Sequence, residues 1–183
     1  MNWIDEVNAK LKHGNQILFS KDSECLQGLK ASLDRLDRRI VILWAFDFAD
    51  KSVKQLAEKY PDENRPAEAL EAARNWAEGK VKMRYSQRKI LDCHAFAKDI
   101  DDKADIAICH AIGQACAAVH TQGHAIGYPI YDLTSIVLKR GVNNCAEEVN
   151  ARIQKYMERL CFWTEHIECY HGEWAGFILK QQR

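Results

Sequence analysis

A stretch of unusually low charge in the second half of the chain constrains the fold more than any other feature. Between residues 104 and 138 only Asp105 and Asp132 are charged. A segment this apolar favours burial, but its histidines, glutamines and Pro129 interrupt it too often for a membrane span. Small residues are frequent in residues 103–120, so neighbouring helices can approach this part closely. We therefore expect residues 103–120 to form the central helix of the fold.

The composition favours an all-α fold. The 183 residues include 22 alanines but only 3 threonines, and glycine and proline together number 12. Scarce threonine and scarce turn residues argue against a β-sandwich or barrel, and a hydrophobic content of 47% argues against disorder. The length is typical of one domain. We expect residues 1–183 to form a single-domain bundle of about eight helices.

Hydrophobic periodicity and capping residues place the individual helices. Pro66 suits the first turn of a helix, and Asn144 with Glu147 has the spacing of a capping box. Thr121 is expected to cap the helix after the central one, which Pro129 should kink. The longer predicted helices span residues 33–60, 66–79, 83–98, 103–120, 121–139 and 144–171.

Cysteine usage and charge bear on location and partners. The seven cysteines are an odd number without the spacing of a secreted disulfide framework. Residues 1–14 have the pattern of an amphipathic helix rather than of a secretion signal. We expect a cytoplasmic protein with reduced thiols. Because 26 basic residues balance 26 acidic ones, general nucleic-acid binding is not expected.

Candidate metal ligands lie in residues 93–132, which contain four of the seven histidines. Cys116 and His120 have the i, i+4 spacing that presents two ligands to one zinc ion, and His94 or His124 would have to supply a third. No CxxC pair and no HExxH motif accompanies them. We therefore expect no metal and no cofactor.

The same residues allow a catalytic interpretation, with His124 as general base and Asp132 as its orienting acid. Cys116 or Tyr128 would be the third member. No nucleophile elbow and no glycine-rich phosphate loop supports it. The simpler interpretation is a set of hydrogen-bonded core groups, since buried polar side chains need partners. We expect no catalytic residue, and the predicted buried polar set is His94, His110, Gln114, His120, His124, Tyr128 and Asp132.

Two charged surfaces are candidates for partner binding. One is the basic run of residues 80–89, which includes Tyr85, and the other is the acidic outer side of the last long helix. Both patterns are also typical of solvated helix surfaces. We favour the acidic side, with Glu158 and Glu165, as the partner-binding face.

Several segments resemble a known family. They are RPAEALEAARNWAEGKVKM (65–83), CHAFAKD (93–99) and HAIGQACAAVHTQGHAIGYPIYDL (110–133), with LWAFDFADKSVKQLAEKYPDENRP (43–66) in the same layout upstream. These segments are similar to the bacterial immunity proteins of polymorphic toxin systems, in the immunity-protein-five-like domain family. The resemblance covers residues 39–139. Its most specific elements are Arg65, Pro66, Arg74, Trp76, His94, Gly113, Gln114, His120 and His124.

The resemblance implies an all-α cytoplasmic protein that protects its producer by binding a cognate toxin, through occlusion rather than catalysis. The predicted partner is thus a toxin protein, with no nucleic acid and no membrane, and the predicted state is a monomer or homodimer. Two other classes stay open. One is a small helical enzyme or metal protein built on the central histidines. The other is an adaptor domain that self-associates through its last long helix.

Overall fold

Helices account for the regular structure of the chain in this computed structural model, which describes residues 2–180. Over those residues there are nine α-helices and no strand, and eight of the helices have seven or more residues. The all-α prediction is therefore confirmed. The helices are α1 (Trp3–Lys12), α2 (Gln27–Arg35), α3 (Arg38–Lys59), α4 (Arg65–Ala77), α5 (Met83–Phe96), α6 (Lys103–Ala117), α7 (Gly127–Arg140), α8 (Ala146–His166) and α9 (Gly176–Leu179).

α6 lies at the centre of the bundle and packs against α3, α4, α5 and α7. Its small residues make this possible, because alanines such as Ala111 and Ala115 are completely buried and let four helices approach closely. The Asp102 side chain caps the first turn by accepting hydrogen bonds from two backbone N–H groups. The helix ends at Ala117, three residues earlier than predicted.

Residues 40–49 of α3 are apolar apart from Asp47, and the helix packs against both α6 and α8. The Trp44 indole donates a 2.9 Å hydrogen bond to the backbone carbonyl of Tyr156 on α8. The prediction of one helix over residues 33–60 is wrong at its start, since α2 ends at Arg35 and α3 begins after Asp37. The Asp37 carboxylate accepts the backbone N–H of Arg39, which caps a new helix at this point.

α7 begins six residues later than predicted, at Gly127. A separate 3₁₀ turn, Gln122–His124, precedes it, and the Thr121 side chain makes no capping hydrogen bond there. Pro129 consequently lies in the first turn of α7, where the backbone N–H groups have no intrahelical partner. A proline at that position breaks no helical hydrogen bond, so the basis for the predicted kink is absent.

α8 is shorter than predicted. Cys145, not Asn144, is the residue before its first turn, and no side chain caps it. At the other end the α-helix stops at His166, and a 3₁₀ turn, Ile167–Cys169, takes the place of the predicted extension to His171.

The segment after α8 folds back across α4. The backbone N–H of Ala175 donates a 2.7 Å hydrogen bond to the carbonyl of Ala77 at the end of α4. Ile178 is buried in the hydrophobic core, which also contains Trp3. Within residues 2–180, no helix combines the length and the apolar character needed to cross a membrane.

Candidate functional site

Four polar side chains form a half-buried row where α5, α6 and α7 meet. His110 and Gln114 lie on one side of α6 because they are four residues apart. α5 contributes His94, and the turn before α7 contributes His124. We call these four residues the polar row. All four are partly exposed, so the predicted burial of these residues in the core is wrong.

His94 and His110 form one end of the polar row. Their Nδ1 atoms are 2.8 Å apart, and the ring of Tyr131 on α7 lies 5.3 Å from the ring of His110, centroid to centroid. The ring of His94 rests directly on Gly113, where any Cβ would overlap its imidazole atoms. Gly113 is therefore required for the close contact that brings the two histidines together.

The ionisation of this histidine pair is shifted by its surroundings. Burial lowers the pKa of His94, and the neighbouring His110 lowers it further; burial also lowers the pKa of His110. Both rings are therefore mainly neutral at pH 7. A neutral pair is geometrically consistent, since one Nδ1 can donate and the other can accept.

Gln114 and His124 form the other end of the polar row. The amide oxygen of Gln114 lies 3.0 Å from Nδ1 of His124, which donates to it in the matching tautomer. The Gln114 side chain lies against Gly127, where an added Cβ would be 2.6 Å from the amide oxygen. A glycine at the start of α7 thus makes room for the side chain that reaches His124.

A second polar system lies deeper, between α7 and α8. Asp132 is 3% exposed and accepts a 2.6 Å hydrogen bond from Arg152 and another from the hydroxyl of Tyr156. We call Asp132, Arg152 and Tyr156 the Asp132 network. Burial raises the pKa of Asp132, and the charge of Arg152 opposes that rise. Sequence patterns alone missed Arg152 and Tyr156, although a lone aspartate in an apolar segment calls for a buried donor.

Tyr128 is buried one turn before Asp132 but has partners of its own. Its hydroxyl lies 2.8 Å from the hydroxyl of Ser52 and donates to the backbone carbonyl of Phe48, both on α3. His124, Tyr128 and Asp132 follow one another at intervals of four residues, but they do not form one polar stripe. His124 lies outside α7, and the other two face different neighbours.

The side chains considered as zinc ligands do not lie close together. Cys116 is fully buried, and burial raises the pKa of its thiol to about 12. His120 lies beyond the end of α6, exposed, with its ring stacked on Trp76 at 5.9 Å. Among residues 2–180, no group of three or more histidine, cysteine, aspartate or glutamate side chains is arranged to hold a metal ion.

The catalytic hypothesis also lacks its geometry. The hydrogen-bond partner of His124 is Gln114, whereas the carboxylate of Asp132 is engaged by Arg152 and Tyr156. A general base and its orienting acid have to be in direct contact or joined by one water. The expected base and acid are therefore placed in two separate polar systems.

The remaining family-like residues join secondary-structure elements. Arg65 binds Glu63 through two hydrogen bonds, of 2.9 and 2.6 Å, and reaches Asp99 beyond α5 at 2.7 Å. It thereby connects the start of α4, where Pro66 is buried in the first turn, to the end of α5.

Arg74 and Trp76 make contacts near the C-terminal end of α4. The Arg74 guanidinium pairs with Asp50 on α3 at 3.2 Å. Trp76 is buried between the rings of His120 and Phe177, at 5.9 and 5.5 Å. It therefore anchors both the end of α6 and the C-terminal segment.

Two helices expose charge together with large apolar side chains. We call the outer side of α5 and its preceding residue the α5 face; it comprises Lys82, Met83, Arg84, Tyr85, Arg88 and Leu91. We call the outer side of α8 the α8 face; its acidic and large apolar residues are Glu147, Met157, Glu158, Phe162 and Glu165, and exposed Lys155 lies among them. The other cations of the basic run are paired, Lys80 with Glu78 and Lys89 with Glu68.

Comparison with known proteins decides the family. The family model described as "Imm-5 like putative immunity protein" matches residues 31–159. The chain belongs to this family. No curated protein and no solved structure matches the chain. In this Imm-5 like chain the matched range extends past residues 39–139 at both ends, and it includes the polar row and the Asp132 network. Glu158 lies within the matched range, whereas Glu165 and the C-terminal segment lie outside it.

Proposed function

We propose that this protein binds a cognate toxin and neutralises it by covering the toxin's working surface, with no catalytic step of its own. The observation that carries the proposal is membership of the Imm-5 like immunity family over residues 31–159. The placement of the candidate catalytic residues supports it, because the proposed base and acid lie in separate polar systems. The polar row then has a positioning role, in which it fixes α5, α6 and α7 relative to one another.

The toxin-binding surface in this proposal is the α8 face. Glu158 and Glu165 are seven residues apart and so lie on one side of the helix, about 10 Å from each other along its axis. Neither carboxylate forms an ion pair with any described residue. Exposed Met157 and Phe162 add apolar contact area, and a groove of about 330 Å³ runs beside Met157 between α2 and α8. Such a surface suits a toxin with a basic binding surface, because opposite potentials speed encounter and reject wrong partners.

The cytoplasm is the proposed site of action, and a protein is the proposed partner. The odd number of cysteines, without a disulfide framework, supports a reducing compartment. The balance of 26 basic and 26 acidic residues supports a protein rather than a nucleic acid as partner. The proposal requires no cofactor.

The test uses the toxin encoded beside this chain. Expression of that toxin alone should arrest growth, co-expression of this chain should restore it, and the two proteins should co-purify. Glu158→Lys combined with Glu165→Lys should weaken the complex at least tenfold while leaving the unfolding transition unchanged. The matched control is Asp62→Lys with Glu71→Lys, which changes net charge equally at exposed positions outside the α8 face. Equal weakening by both pairs would contradict the proposed surface.

The occlusion mechanism has its own test. A folded His124→Ala protein should bind the toxin and restore growth as the wild type does, because His124 has only a positioning role. A His124→Ala protein that binds the toxin normally but fails to protect would show that chemistry, not coverage, neutralises the toxin.

A further inference from the structure

The α5 face carries positive charge that the molecule itself leaves without a partner. Within residues 2–180 neither Lys82 nor Arg84 forms an ion pair, and Arg88 reaches only Asp92, at 3.6 Å. Arg84, Arg88 and Leu91 follow one another at spacings of four and three residues, so they share the outermost side of the helix. Arg84 and Arg88 therefore lie one turn apart on the same exposed side of α5.

Large apolar side chains stand among these cations. Leu91 is 63% exposed, Tyr85 52% and Met83 43%. Tyrosine, methionine and arginine are the residue types enriched in the centres of protein interfaces. Aliphatic side chains such as Leu91 offer nothing for bases to stack on, so this composition favours a protein over a nucleic acid. The occupant that fits is an acidic protein surface with apolar side chains of its own.

The α8 face has those properties. Glu147, Glu158 and Glu165 are separated by eleven and seven residues, close to whole numbers of helical turns, and so they line the outermost side of α8. Met157 and Phe162 are 39% and 37% exposed beside them. α5 packs against α4 and α6, whereas α8 packs against α3 and α7. The two faces thus belong to different sides of the bundle and can meet only between molecules.

We infer that the α5 face of one copy of this chain docks on the α8 face of a second copy. The contact is heterologous, because two different surfaces meet and each copy of the pair keeps its other face free. Copies therefore join head to tail rather than as a two-fold symmetric dimer. The contact relies on exposed charges, so it is weak and falls with rising salt. A toxin bound to the α8 face would compete with the second copy.

Sedimentation velocity of the full-length chain over a range of protein concentrations tests the inference. At an ionic strength of about 0.01 M, where the Debye length is about 30 Å, the weight-average sedimentation coefficient of the wild type should rise with concentration. Arg84→Glu with Arg88→Glu should abolish that rise, as should Glu158→Lys with Glu165→Lys. The rise should diminish at about 0.15 M, where the Debye length is about 8 Å.

Complementation makes the test specific. An equimolar mixture of the two charge-reversed proteins should associate in a 1:1 ratio, because like charges meet when either variant pairs with itself but opposite charges meet when the two variants pair with each other. The two reversed faces attract each other, and one further pairing remains unaltered in sequence. The unaltered pairing is the wild-type α5 face of one variant with the wild-type α8 face of the other. The control Lys21→Glu with Lys98→Glu changes net charge at exposed positions outside both faces and should associate as the wild type does.

Three results would overturn the inference. The first is a wild type that stays monomeric at low salt, and the second is a mixture of the two variants that forms no complex. The third is an RNA oligonucleotide that saturates the α5 face at lower concentration than the second copy does. No toxin is present in these measurements, so the result is independent of whether the proposed neutralising function is correct.

Discussion

The polar row and the Asp132 network use similar hydrogen bonds at different depths, and the depth decides what each can do. In the polar row every side chain is partly exposed, so water can replace a lost partner. In the Asp132 network the carboxylate is 3% exposed and Tyr156 is completely buried, so water reaches only the Arg152 side chain, which is 31% exposed. We therefore expect stability to depend strongly on the network, whereas the polar row chiefly sets the local geometry of α5, α6 and α7.

Removal of the buried carboxylate should have the largest effect. Asp132→Ala leaves Arg152 and the hydroxyl of Tyr156 without their acceptor between α7 and α8. Breaking a buried pair by deleting one partner costs about 3–5 kcal/mol, and the loss here should be about 3 kcal/mol because the Arg152 side chain is 31% exposed and can be solvated. Chemical denaturation followed by far-ultraviolet dichroism measures the loss.

The matched control for this variant is Glu148→Gln on the same pair of helices. Glu148 pairs with Arg140 at 2.8 Å, but both side chains are about half exposed. Removal of this pair should cost less than about 1 kcal/mol, as is usual for exposed ion pairs. Similar losses for Asp132→Ala and Glu148→Gln would show that depth does not separate the two kinds of site.

A substitution at Gly113 should have the next largest effect, and its sign should depend on His94. Gly113→Ala pushes a methyl group into the His94 ring and should cost about 1–3 kcal/mol through overpacking. In a His94→Ala background the obstacle is gone. There the same change should stabilise α6 by up to about 1 kcal/mol, because alanine favours a helix over glycine. Equal effects in the two backgrounds would contradict the contact.

Much of the fold could be predicted from the sequence because it follows from local rules. The low charge of residues 104–138 identified the central helix, and the position of Pro66 identified the start of α4. The wrong predictions lie at helix boundaries, where a capping or terminating residue competes with the apolar pattern that would continue the helix. Asp37 breaks a long apolar pattern by capping α3, and the early end of α6 leaves His124 in a separate turn.

The candidate site was harder to predict because its contacts join distant parts of the chain. The catalytic hypothesis grouped His124 with Tyr128 and Asp132, but their four-residue spacing places side chains together only on a continuous helix. The partners that matter, such as Arg152 for Asp132, are set by how α7 and α8 pack. Gly113 and Gly127 carry a signal that could have been used, since glycines inside or beginning a helix often mark a close approach.

Loss of the His124 side chain should have a moderate effect. His124→Ala removes one half-exposed hydrogen bond to Gln114, which is worth about 0.5–1.5 kcal/mol. This is less than a fully buried histidine would cost, and Gln114→Ala should cost a similar amount. The double variant should cost less than the sum of the two single losses, because both remove the same bond. Additive losses measured by denaturation would contradict a direct contact.

Acidification should have the smallest effect, and it reports on the end of the polar row formed by His94 and His110. Both rings have a folded pKa below the ordinary value of 6.5, so below about pH 6.5 the unfolded chain takes up protons that the folded pair resists. The free energy of unfolding should therefore decline as pH falls from about 6.5 to the lower folded pKa values, and level off below them.

Carboxylates elsewhere also titrate on the acid side, so the informative quantity is the difference between the wild type and the double variant His94→Ala with His110→Ala. The variant should show a shallower decline between about pH 7 and pH 5.5, measured by denaturation at each pH. An identical decline in both proteins would mean that the pair titrates alike in the folded and unfolded chains, and that its burial does not oppose protonation.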